Sequence, residues 1–255
     1  MRPFSVRLTA LTLAVFSLLA LGGCSSKSDD EPHFDPKRAD ELAHAMMPEA
    51  AVFPGTGWEV VSEDEFDDDA EDDSPTPDAC KDIERVFKSS EDFIDEEPRG
   101  RARTEYELKT GDEDALAIPT SIDVEVEIHD EAQVLKDGLV KMKDLLGHAD
   151  FKDCMDAVME QEMGSDPVDE GVTLDMKVVD SELPAPRNGA TMAFDANIDA
   201  AGLVKLDMRL RIFFWRVGNS AITVMFAGPK DALTDEFMRT ALDRVDGTAI
   251  VASKQ

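Results

Sequence analysis

Met192-Ala193-Phe194-Asp195-Ala196-Asn197-Ile198-Asp199-Ala200-Ala201-Gly202-Leu203-Val204-Lys205-Leu206-Asp207-Met208-Arg209-Leu210 is the stretch that decides the fold. Apolar residues at every second position on both sides of a small, glycine-containing break describe two strands joined by a short hairpin. The loop Ala200-Ala201-Gly202 places glycine where left-handed backbone is needed. It predicts pairing of Ile198 with Val204, Ala196 with Leu206, Phe194 with Met208 and Met192 with Leu210. A connection this short joins antiparallel strands and excludes a doubly wound parallel sheet.

The alternation spreads outward from this hairpin. Val172, Leu174, Met176 and Val178 precede it, and Leu210, Ile212 and Phe214 continue its second strand. Gly218-Asn219 then turns the chain toward Ile222, Val224 and Phe226. A two-residue and a three-residue loop would put opposite faces of that last strand inward, and the pattern does not choose between them. Two strands are expected earlier, over 101–110 and 120–128. In the second, Ile122, Val124, Val126 and Ile128 alternate with Asp123, Glu125 and Glu127.

Helical spacing fills the rest. Asp35-Pro36 opens a helix carrying Ala39, Leu42, Ala43 and Met46 on one face until Pro48 ends it. Thr76-Pro77 opens another that aligns Cys80, Ile83 and Phe87. From Asp130, with Gln133 placed for a capping box, Leu135, Leu139, Met142 and Leu146 form a stripe. After Gly147-His148, Asp150 starts a helix with Phe151, Cys154, Met155 and Val158 on one side. A closing helix is expected over 231–245, with Leu233, Phe237, Ala241 and Val245 inward. The fold class is α+β: an antiparallel sheet of about six strands, covered by helices on one face, in a single domain over residues 36–250.

Cys80 and Cys154 both fall on core-facing helix surfaces. In an exported chain two such cysteines form one disulfide more often than they remain thiols. Export is indicated by the first residues. Arg2 and Arg7 precede the uncharged stretch from Leu8 to Gly23, too short to span a bilayer, and Leu21-Gly22-Gly23-Cys24 closes it. Those four residues resemble a bacterial lipobox. The resemblance implies cleavage of residues 1–23 and a membrane anchor through covalent lipid on Cys24, with palmitate among the acyl chains, at the extracytoplasmic face of the cell membrane. Residues 24–35 form a polar tether.

Charge narrows the partners. The first 23 residues carry two of the 26 basic residues and none of the 56 acidic ones, so the remaining 232 stand at −32. That field repels nucleic acid and anionic membrane surfaces alike. Acidity peaks between Glu59 and Asp73, and residues 62–74 read as a solvated acidic loop without the glycine and distal glutamate of an EF-hand.

The sequence Leu42-Ala43-His44-Ala45-Met46-Met47-Pro48 through Phe53-Pro54-Gly55-Thr56-Gly57-Trp58-Glu59-Val60-Val61 resembles the opening of actinobacterial sensor-domain-like lipoproteins, the family of the PknH-type extracellular sensor domain. A cysteine soon afterwards, two strands, and a helix pair carrying Phe151-Lys152-Asp153-Cys154 extend the resemblance over roughly residues 40–247. It implies an antiparallel α+β domain with a ligand-binding cleft and no catalysis. Members often carry a second disulfide in the later half, for which this chain has no cysteines.

No nucleophile elbow, metalloprotease helix, phosphate loop or dinucleotide fingerprint occurs. His33, His44, His129 and His148 are scattered, so neither a metal nor a cofactor is expected. Two surfaces are candidates for a ligand. Arg99, Arg101 and Arg103 project from one side of an extended segment and suit a phosphate or carboxylate, although Glu105, Glu107 or the acidic loop offer internal partners. Phe213 and Trp215 either lie under a terminal helix or, with Arg209 and Arg211, wall a pocket for a glycan or lipid headgroup. Trp58 is a third wall candidate. The expected function is a non-enzymatic ligand-binding or sensor-like module whose partner is a small envelope ligand or a protein. Its rivals are a carrier or assembly factor for envelope lipids and an envelope hydrolase of unrecognised site.

Overall fold

The computed structural model describes residues 34–62, 77–81, 83, 97–109, 119–165, 172–200 and 204–254. The leader, most of the tether, the acidic stretch from Glu63 to Ser74, Thr76 and Phe87 lie outside them. The elements are α1 (Pro36–Met46), β1 (Trp58–Ser62), β2 (Gly100–Leu108), β3 (Thr120–Ile128), α2 (Ala132–Leu146), α3 (Phe151–Ser165), β4 (Val172–Val178), β5 (Ala190–Ala200), β6 (Val204–Val217), β7 (Ser220–Pro229) and α4 (Asp235–Ala252). Short 3-10 turns at Ala50–Val52, Asp78–Cys80 and Pro186–Asn188 connect them.

The fold is α+β. Seven strands form one sheet in the order β1-β2-β3-β7-β6-β5-β4, with every neighbour antiparallel. The strand beyond the expected six is β1, whose Glu59-Val60-Val61 does not alternate because the register slips between Val60 and Ser62.

The β5–β6 hairpin corrects one expectation. Ile198 pairs with Leu206, Ala196 with Met208, Phe194 with Leu210 and Met192 with Ile212, two residues from the pairing expected. A slide of two leaves every side chain on its face, so alternation could not detect it. The β6–β7 turn is the two-residue one. Val217 pairs with Ser220 across Gly218-Asn219, with Gly218 at φ 62°, and this brings Phe213 beside Val224 and Trp215 beside Ile222.

Helices cover both faces rather than one. Ile212-Phe213-Phe214-Trp215 is buried throughout, and consecutive strand residues point to opposite sides, so each side needs a cover. On one face Phe213, Trp215, Ile222, Val224, Phe226 and the even-numbered residues of β3 pack with α1 and α4. On the other, Met192, Phe194, Leu210, Ile212 and Phe214 pack with α2, α3 and the Asp78–Cys80 turn. The Cys80–Cys154 disulfide ties that turn to α3 within the second core, with an S–S distance of 2.16 Å.

The helix ends follow local chemistry. Asp35 accepts from the Lys37 N–H at the start of α1. Thr234 accepts from the Phe237 N–H, so α4 starts four residues later than expected and runs on to Ala252. No capping box forms at α2: Gln133 bonds Asp137, and the Asp130 carboxylate takes the Phe34 N–H and Arg99 instead. Gly100 lies against α1, where a Cβ would stand 2.3 Å from the Ala39 carbonyl carbon.

Candidate functional site

The arginine stripe meets an acidic stripe one strand away. The β2–β3 register places Arg101 opposite Glu127, Arg103 opposite Glu125 and Glu105 opposite Asp123, all on one face. Arg99 donates to Asp130 at 2.6 Å, and Arg101 to Glu127 at 2.9 Å. Arg103 passes its direct neighbour and forks onto Asp123, with Nη2 2.5 Å and Nε 3.0 Å from Oδ2. Among the described residues these carboxylates come from β3 and from Asp130 rather than from Glu105 or Glu107, and the acidic loop lies outside the described residues.

The diagonal contact sets the electrostatics. The Glu125 carboxylate accepts no hydrogen bond from any described residue, and its β7 partner is the uncharged Thr223. Burial first, then the charge of Glu127, push its carboxyl up to about 8. Burial also pushes on Glu127, but a contact from His129 at 3.5 Å and the guanidinium of Arg101 outweigh it and hold that carboxyl below its ordinary range. Burial and neighbouring Asp123 raise Glu105. Among the described residues Arg99, Arg101 and Arg103 thus each hold a carboxylate, while that of Glu125 takes no hydrogen bond.

The second candidate surface divides at α4. Phe213 and Trp215 are 0% and 2% exposed beneath it, and the Trp215 indole N–H donates to Asp246 on the helix at 3.0 Å. Arg187 donates to the same carboxylate. Arg209 reaches the Leu233 carbonyl and Asp235. Arg211 is buried, bonded to the carbonyls of Phe194 and Leu210 and, at 2.7 Å, to Asp195, which also takes Lys230. Burial alone would raise Asp195; the hydrogen bonds from Arg211 and Lys230 prevail and lower it. Trp58 is buried too, its indole N–H on the Pro54 carbonyl and its ring 5.9 Å from that of Phe237.

An open groove of about 600 Å³ lies between α1 and α4, lined by Ala45, Val52, Arg244, Gly247, Val251 and Ala252. Arg244 donates to the Val52 carbonyl and fixes the 3-10 turn against α4. Sequence reasoning missed this feature because the closing helix was expected to stop at Val245, which left Gly247 to Ala252 outside any element.

Comparison with known proteins adds little to the geometry. No family model matches the chain, and neither does any curated protein. Among solved structures, the crystal structure of the extracellular domain of PknH from Mycobacterium tuberculosis superposes with a TM-score of 0.42 and 11% identity, over 86% of this chain and 98% of that one. The likeness is weak and says nothing about what this chain binds. Among the described residues no helix is long and apolar enough to cross a membrane, and no group of three or more metal-ligating side chains converges.

Proposed function

We propose that the chain is a lipoprotein anchored outside the cytoplasm through lipid on Cys24, carrying a non-enzymatic ligand-binding domain of the sensor-like kind. The Cys80–Cys154 bridge is the observation that carries the location. Disulfides persist in oxidising compartments, and thiols of cytosolic chains are kept reduced. The lipobox-like Leu21-Gly22-Gly23-Cys24 supplies the address, and a chain with two or three acyl groups stays on a membrane. The binding role is supported by the groove, which offers apolar contact and one fixed cation at its edge.

The test is fractionation of cells expressing the full chain, with mass spectrometry of its amino-terminal peptide and of the intact protein before and after reduction. An acylated Cys24 in the membrane fraction, release of the Cys24→Ala chain, and a gain of about 2 Da on reduction are expected. A full-length soluble chain with unmodified Cys24 would sink the anchor.

A further inference from the structure

Three properties of the α1–α4 groove converge. Gly247 sits inside α4, where glycine costs about 0.5–1 kcal/mol relative to alanine. A Cβ there would meet no atom within 4 Å, so no packing demand excludes a side chain. The consequence of glycine at this position is a groove left open at its middle. Around it the lining is apolar, and Val251 is 62% exposed, more than any other large apolar side chain described.

The third property is charge. Arg244 lines the groove with its guanidinium steered by the Val52 carbonyl, and among the described residues it meets no carboxylate. The chain carries 56 acidic residues against 26 basic ones, and Arg99, Arg101, Arg103, Arg187, Arg209 and Arg211 all hold acids. Thr248 adds no competing polar group, since its hydroxyl donates back to the Arg244 carbonyl.

We propose that this groove binds one acyl chain of a free, single-chain anionic amphiphile, with the tail over Gly247 between Val52 and Val251 and the acid head on Arg244. The volume falls in the range of small-ligand sites, roughly 300–1,000 Å³, too little for a bilayer face. The proposal deepens the binding role proposed above and rests on it: a membrane anchor puts the groove where such amphiphiles are abundant.

Photolabelling of the full chain in cell membranes tests it, using palmitic acid, hexadecanol and phosphatidylcholine that each carry a diazirine in the chain. Saturable labelling by the acid should map to the peptides spanning residues 45–52 and 244–252. Gly247→Leu should lower it by about tenfold or more while the melting temperature and disulfide persist, because the leucine enters open space. Arg244→Gln should lower labelling by the acid by about tenfold and labelling by the alcohol by clearly less, since only the acid loses its charged partner while both lose the hold on the Val52 turn. Absence of saturable labelling, labelling untouched by Gly247→Leu, or labelling by phosphatidylcholine alone would each overturn the proposal. Failure of the anchor reads out separately, as loss of the chain from the membrane fraction.

Discussion

The Arg103 guanidinium forks onto Asp123, two residues along β3 from the Glu125 that stands directly opposite it. Asp123 is buried and Arg103 half-buried, so the pair is worth more than a fully exposed ion pair. Asp123→Asn should cost about 1–3 kcal/mol in denaturant unfolding, at the lower end if Arg103 turns to Glu125. A double-mutant cycle with Arg103→Gln should return a coupling of about 1 kcal/mol or more. Additive single effects would contradict the geometry.

Glu125 predicts a pH dependence of the opposite kind from most carboxylates. Its folded value, near 8, lies above the ordinary 4.5, so between those limits the folded chain holds a proton that the unfolded chain releases. Stability should therefore fall as pH rises through this window and level off above about 8, by at most about 1.4 kcal/mol per pH unit from this group. Glu127 is lowered, so its contribution is present above its ordinary value and lost only in acid. Urea midpoints at pH 5 to 9 should decline for the wild type, and Glu125→Gln should flatten that decline.

Reducing the Cys80–Cys154 bridge, or replacing both cysteines by alanine, frees a segment whose ends are 74 residues apart. The chain-entropy relation gives a loss of about 4.5 kcal/mol, measurable as a lower thermal midpoint. The second core holds both cysteines with Phe151, Met155 and Phe194, so hydrogen exchange should quicken there before it does under α4.

Two glycines should respond to alanine in opposite senses. Gly247→Ala adds a methyl to open space inside α4 and should stabilise by about 0.5–1 kcal/mol. Gly100→Ala drives its methyl into the backbone of α1 and should destabilise by about 2 kcal/mol or more. Thermal melts of the two variants decide the point.

Much of the fold was legible because its signals are local. Alternation marked β2 to β7, helical spacing marked the cores of the four long helices among the described residues, and both cysteines were expected on inward faces, where the bridge joins them. The candidate sites were less legible. Arg99, Arg101 and Arg103 share a side of the chain, as their spacing requires, but β3 supplied partners that spacing alone could not rank against Glu105 and Glu107.

The sequence by itself determined which side chains share a face, since strand and helix periods are properties of the backbone, and short hairpins required antiparallel pairing. Tertiary structure decided what the period cannot see. A slide of two residues in β5–β6 preserves every face. Cover on both sides of the sheet follows from the run Ile212 to Trp215 only once neighbours exist. The solitary carboxyl of Glu125 depends on Arg103 preferring Asp123, and the groove brings Ala45 and Val52 to Arg244 and Val251 across most of the chain. Such features are relations between remote residues, set by which packing buries the most apolar surface while leaving the fewest buried charges unpaired.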